Sequence, residues 1–325
     1  MTEQIKEQIL LHTGSQFIIH TQRIQSLWSG YGEISRCQLE GGERAAVVVK
    51  HVQLPDQSQH PRGWNTDIGH QRKLKSYQVE MNWYASQTEA IDPHCRIPLG
   101  IYSWQQEGEM LMILEDLNEA GFSLRHHHID LTQIKSCLSW LAYFHAKHLN
   151  HGGDGLWGIG TYWHMDTRPD EWQAMQNQAL KKAAKAIDQR LNQAQFHTLV
   201  HGDAKLANFC FSKDTAEVAA VDFQYIGRGC GMKDVAYFIS SCLDEEDCEA
   251  LEDELLNHYF GQLSDACKHY NQKVDSDAVI AEWRALYPFA WADFYRFLDG
   301  WSPGHWKMHG YSEKLSRKAM NLLHI

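Results

Sequence analysis

The chain has 325 residues, 43% hydrophobic and 11% aromatic, with 30 basic against 41 acidic side chains. At roughly 150 residues per domain that is enough for two domains or two lobes of one fold, and the composition excludes a disordered, collagen-like or disulfide-framework chain. A net charge of -11 argues against duplex nucleic acid and anionic membrane as partners, since both require a basic face. No apolar run approaches the ~20 residues needed to cross a bilayer, and the opening residues lack the apolar stretch and cleavage site of a signal peptide. Eight scattered cysteines without a CxxC pair fit buried thiols in a reducing compartment. The expectation is a soluble, cytoplasmic protein.

In chain order, residues 18–30 lead into a turn, Ser29-Gly30-Tyr31-Gly32, and residues 36–39 make a short strand. Glu40-Gly41-Gly42-Glu43 is a hairpin signal, followed by an apolar strand over residues 45–52. Residues 54–69 are polar, with Pro55, Pro61, Gly63 and Gly69, and read as a mobile loop. From residue 72 to 90, Leu74, Tyr77, Met81 and Tyr84 recur at helical spacing. Two more strands are expected over residues 96–104 and 109–114. Beyond Asp116 the pattern turns helical: Leu131, Ile134, Leu138 and Leu141 form a stripe that Gly152-Gly153 ends, and residues 171–194 predict one further helix. A region of loops and short strands spans residues 198–221, and helices fill most of the remainder.

The chemistry concentrates in Leu199-Val200-His201-Gly202-Asp203-Ala204-Lys205-Leu206-Ala207-Asn208, with Asp222 fourteen positions after Asn208 at the end of an apolar run. An acidic residue ending such a strand is a common way to hold a metal, and Asn208 can add an amide oxygen; Mg²⁺ favours oxygen ligands shared with phosphates. Asp203 is then placed to orient a hydroxyl, and Lys205 to set a cation at a transferred phosphoryl group. These are the parts phosphoryl transfer requires. A lone Asp or Asn in such a loop reads as a cap; three at these offsets read as a site.

His-Gly-Asp with Asn five residues after the Asp, then Asp222-Phe223-Gln224, resembles the kinase-fold small-molecule phosphotransferases: aminoglycoside phosphotransferases, choline kinases and ecdysteroid-kinase-like proteins. The Asp-Phe-Gln form and Ile113-Leu114-Glu115-Asp116-Leu117 resemble the ecdysteroid-kinase-like branch most, over about residues 29–239. The resemblance implies an α+β, two-lobed protein-kinase-like fold: a small β-rich N-lobe over residues 1–116 and a larger, mainly helical C-lobe over residues 117–325. It implies an ATP- and Mg²⁺-dependent phosphotransferase with a small-molecule alcohol as acceptor.

It also implies site residues. Lys50, ending Val47-Val48-Val49, matches the strand lysine that holds the α- and β-phosphates, with Val48 on the same face against the adenine. Glu80 matches the helix glutamate that pairs with this lysine, and Glu89 is a weaker candidate. Backbone groups of Glu115 and Leu117 would meet the adenine edge. Gly30 and Gly32 stand in the phosphate loop, where the last glycine of the GxGxxG pattern is missing. Asp234 matches an aspartate that braces the catalytic loop.

A protein kinase is the less favoured alternative, because Asp234 follows Asp222 by only twelve positions and no Ala-Pro-Glu anchor follows. A non-catalytic nucleotide binder is the other, yet the metal and catalytic carboxylates are both intact. Trp283, Trp291, Trp301 and Trp306, with Trp163 and His164, read either as core or as an aromatic acceptor wall able to take a cation by its ring faces or an apolar alcohol.

Overall fold

The protein, seen in a computed structural model, is described over residues 1–27, 30–53, 67–87, 91–106 and 108–324. Its chain forms two units. The first comprises Met1–Asp92, Arg96–Leu124 and Cys210–Val221; the second comprises Pro93–Cys95, Arg125–Phe209 and Asp222–Ile325. Residues 117–124 and 210–221, assigned from sequence to the second lobe, thus group with the first unit.

The first unit opens with a helix absent from the sequence expectations, α1 (Glu3–Thr13), capped by the Thr2 hydroxyl on the Ile5 amide. Strands β1 (Phe17–Ser26), β2 (Gly32–Glu40) and β3 (Ala46–Gln53) precede helix α2 (Asp67–Ser86), and β4 (Gly100–Gln106) and β5 (Glu109–Glu115) follow it. They form one antiparallel sheet in the order β1-β2-β3-β5-β4. Alternation along β3 sends Val47 and Val49 to one face, where they join Cys37, Leu39, Leu111 and Ile113 around Ile5 and Ile9 of α1. Each isoleucine, 1% and 0% exposed, stabilises the helix–sheet contact by about 1.5–3 kcal/mol. Val48 and Lys50 are left to the opposite face. Residues 54–66 of the loop expected over 54–69 lie outside the described residues, and Asp67, Ile68 and Gly69 belong to α2. After β5, Leu117 and Phe122 pack with Cys210 and Ala219, which explains the grouping of that later segment with the first unit.

The second unit contains α3 (Leu131–Lys147), started by a capping box between Asp130 and Gln133, then α4 (Pro169–Ala174) and α5 (Gln178–Asn192). The single helix expected over residues 171–194 is therefore two. The break has a distant cause: the Asp299 carboxylate accepts from the amides of Gln176 and Asn177 at 2.8 and 2.9 Å, and Asn177 caps α5 through the Leu180 amide. Short strand β6 (Thr198–Val200) and strand β9 (Gly227–Gly229) belong to it, while the hairpin strands β7 (Phe209–Phe211) and β8 (Val218–Ala220) between them lie, but for Phe209, in the first unit. Helices α6 (Met232–Cys242), α7 (Glu245–His269), α8 (Ser276–Trp301) and α9 (Gly310–Leu322) complete the second unit. β6 and β9 pair antiparallel with Val200 opposite Gly227, so the residues after β6 and those before β9 leave the ladder side by side. Among the described residues no helix is long and apolar enough to cross a membrane.

Candidate active site

In the first unit, Lys50 and Glu80 meet. The Lys50 Nζ donates to Glu80 Oε2 at 2.5 Å, with the residues 3% and 1% exposed. The strand's period of two brings the lysine off the α1 face, and α2 places Glu80 one turn after Tyr77, whose ring lies 5.7 Å from the ammonium. A charge this deeply buried needs its counter-charge. Glu80→Ala is therefore expected to lower the unfolding free energy by about 3–5 kcal/mol, measured as a shift of the urea midpoint. An unmoved midpoint would mean that the pair contributes nothing net. Glu89 lies outside the described residues.

Val48 is half-buried on the Lys50 face. Gly30, just before β2, and Gly32, its first residue, have φ of +76° and +122°. At Gly32 a Cβ would collide with the His51 carbonyl oxygen, so only glycine fits this approach of β2 to β3. Glu115 ends β5 with its carboxylate held by Arg96 at 2.6 Å and by the Leu99 amide at 3.0 Å. Asp116 is held by Arg36 at 2.5 Å, and the Leu117 side chain is buried. The strand end is thus fixed by side-chain bonds on both sides of its peptide groups.

In the second unit, the loop after β6 gathers Asp203, Lys205 and Asn208. Lys205 Nζ donates to Asp203 Oδ2 at 2.8 Å. The Asn208 amide nitrogen donates to the Asp203 carbonyl at 2.8 Å and to Oδ2 at 3.2 Å. The Tyr237 hydroxyl donates to Oδ1 at 3.1 Å. Three donors on a carboxylate with about four lone-pair sites leave room for one more. Burial pushes the Lys205 ammonium toward losing its proton, yet the Asp203 carboxylate, helped by Asp222, outweighs it and raises the pKa. Tyr237 is held far above the usual phenol range by burial and then by Asp203, and so remains a donor.

Asp234 holds this loop in place. Fully buried on α6, it accepts from the amides of His201 at 2.5 Å and Gly202 at 3.0 Å, and lies 3.1 Å from His145 Nε2. His145 in turn contacts the Tyr259 hydroxyl through Nδ1 at 2.7 Å. Gly202 is forced by geometry: its φ is +80°, and a Cβ there would meet the Tyr225 carbonyl oxygen.

Asp222 is a non-glycine residue at φ +69°. Such strain persists only where surrounding structure imposes it, and it clusters at functional sites. Its Oδ1 accepts from the Gln224 side chain at 2.7 Å. The Asn208 amide is oriented by its nitrogen toward Asp203, and its Oδ1 accepts no hydrogen bond among the described residues. An amide oxygen and a carboxylate make an all-oxygen donor set suited to a hard divalent cation. Among the described residues no three His, Cys, Asp or Glu side chains converge as a metal cluster.

The aromatic residues separate into groups. Trp283 and Trp291 are 0% and 1% exposed and belong to the core, whereas Trp306 is 58% exposed. Trp163 is buried with Tyr237, Phe294, Phe297 and Leu298, its indole N–H donating to Asp293 at 2.9 Å. Burial alone would raise the Asp293 pKa, but Arg296 and Lys233 hold it down at about 2. His164 is lowered to about 4 by burial, with Lys233 adding to the effect. Two residues beside Asp203 were not anticipated from sequence. Tyr237 follows Asp234 by one helical turn, so periodicity along α6 carries a signal for it. Lys307 has none.

A sheet-and-helix first unit and a helical second unit, with Lys50–Glu80 in one and Asp203–Asn208 in the other, are the parts of a kinase-like fold. Residues 45–150 and 161–272 match the model of the ecdysteroid kinase-like family. The chain belongs to that family and is by class a small-molecule kinase, a phosphotransferase acting on a hydroxyl group. No match is found among curated protein sequences. Among solved structures, an amicoumacin kinase in complex with AMP-PNP and Ca²⁺ is similar with TM-score 0.55 and 13% identity, over 99% of this chain and 95% of that one. A microcompartment-associated aminopropanol kinase gives 0.51 and 14%, over 98% and 94%. A choline kinase from Cryptosporidium parvum Iowa II gives 0.55 and 10%, over 99% and 94%. At these identities the likeness is one of fold.

Proposed function

We propose that this protein transfers the γ-phosphoryl group of ATP to a hydroxyl of a small-molecule alcohol, with Mg²⁺ as the divalent ion. The observation that carries the reading is the Asp203 carboxylate, held by Tyr237, Lys205 and Asn208 with one acceptor position to spare. Lys50, oriented by Glu80, holds the α- and β-phosphates. Gly30 and Gly32 bring backbone close to the phosphates, Val48 lies against the adenine, and backbone groups of Glu115 and Leu117 meet its edge. Asn208 and Asp222 hold the metal, which when bound neutralises phosphate charge. Asp203 aligns the acceptor hydroxyl and receives its proton as the new O–P bond forms and ADP leaves. Lys205, already paired with Asp203, stabilises charge on the transferred group. That a kinase of this fold was solved with AMP-PNP and Ca²⁺ supports a nucleotide and a divalent ion in this role.

The test is label transfer from γ-labelled ATP with Mg²⁺ to a panel of amino alcohols, aminoglycosides, sugars, hydroxy acids and sterols. Label on one class is the expected result. Mg-ATP binding without transfer to any member would favour a non-catalytic nucleotide binder. Absence of ATP binding would overturn the proposal.

A further inference from the structure

The segment between α8 and α9 buries a lysine beside Asp203. Lys307 is 8% exposed, and its Nζ lies 4.6 Å from the Tyr237 ring centroid, 5.4 Å from that of Phe294 and 5.5 Å from that of Trp306. Its position is held from both ends: the Lys307 amide donates to His305 Nδ1, and its carbonyl accepts from the Ser312 hydroxyl at the start of α9. Among the described residues no carboxylate, carbonyl or hydroxyl accepts from the ammonium. Burial lowers its pKa to about 8, with the Asp203 carboxylate pulling the other way.

Three aromatic faces around one point are what a ligand's ammonium group seeks. Here the chain's own ammonium occupies that point. Ring faces satisfy the charge but not the three N–H donors, which stay open to an acceptor from outside the chain. Tyr237 touches both groups, its ring under Lys307 and its hydroxyl on Asp203 at 3.1 Å. The tyrosine thus links the place where an alcohol's hydroxyl would meet Asp203 to the Lys307 ammonium. Beside it the Trp306 ring is exposed and available for cover.

We propose that Lys307 determines acceptor specificity, accepting an alcohol that carries a carboxylate or carbonyl oxygen and excluding alcohols that carry an ammonium group. This rests on the phosphotransferase reading above. On this reading the faces of Tyr237, Phe294 and Trp306 are not open to a cationic substrate, because Lys307 takes their place.

The test is binding of two probes, γ-hydroxybutyrate and choline, to wild type, Lys307→Met and Lys307→Arg, by isothermal titration. Wild type is expected to bind the hydroxy acid at least about tenfold more tightly than choline. Lys307→Met should lose that preference and gain choline binding, while Lys307→Arg keeps the wild-type order. Thermal melts of the two variants separate misfolding from lost recognition, and the arginine variant supplies a result even if the methionine variant unfolds. Choline bound by wild type as tightly as by Lys307→Met, or a probe ratio unchanged in the variant, overturns the proposal. Mg-ATP titrations on the same proteins keep the two readings apart, since loss of nucleotide binding in wild type would sink the phosphotransferase reading and leave the Lys307 comparison standing.

Discussion

Asp203→Asn is expected to lower kcat for phosphoryl transfer by about 10³-fold while Mg-ATP affinity changes by less than about threefold. The substitution keeps shape and removes charge. In the native loop one carboxylate faces the Lys205 ammonium, the Asn208 amide and the Tyr237 hydroxyl, all donors. An asparagine amide placed there must turn one NH₂ toward a donor or surrender one of these bonds, so it no longer presents an acceptor to the alcohol. The nucleotide is assigned to other residues, so its binding should persist. Single-turnover transfer and calorimetric titration with Mg-ATP measure the two quantities. Transfer within a few-fold of wild type would remove Asp203 from the proposed role.

Asp234→Ala carries the second large effect, on stability. The carboxylate takes two backbone amides and a histidine nitrogen in a fully buried place. Its removal leaves the His201 and Gly202 N–H groups without an acceptor at about 1–3 kcal/mol each. A total loss of about 3–5 kcal/mol is expected in urea unfolding, with transfer activity falling because Asp203 follows directly on the released segment. Asp234→Asn retains one accepting oxygen and should cost about half as much. An alanine variant unfolding at the wild-type midpoint would show that water replaces the brace.

Much of this site is legible in the chain because its parts are local. The alternation over residues 45–52 announces a strand with Lys50 off the apolar face, and β3 has that pattern. The offsets among Asp203, Lys205 and Asn208 are those of one tight loop, and the loop binds them to each other. The signal for α1 was also present, since Thr2 is a good cap and Ile5 and Ile9 stand one turn apart. It is a weak signal because the helix's mean composition is polar and only the sheet supplies a reason to fold.

Other features have causes far away in sequence. The break between α4 and α5 is made by Asp299, more than a hundred residues on, and no local propensity marks it. Composition shows twelve tryptophans, but packing decides that Trp283 and Trp291 are core while Trp306 faces solvent. Sequence by itself determined the family, the strand that ends near Lys50 and the spacing of the acidic loop, because each depends on short-range periodicity or a fixed offset, while the meeting of Lys50 with Glu80 was implied by the resemblance and is present in the fold. Only the tertiary structure decided that Tyr237 touches Asp203 and that Lys307 fills the aromatic cluster, because those contacts join residues on separate elements and hold through burial, which no local pattern encodes.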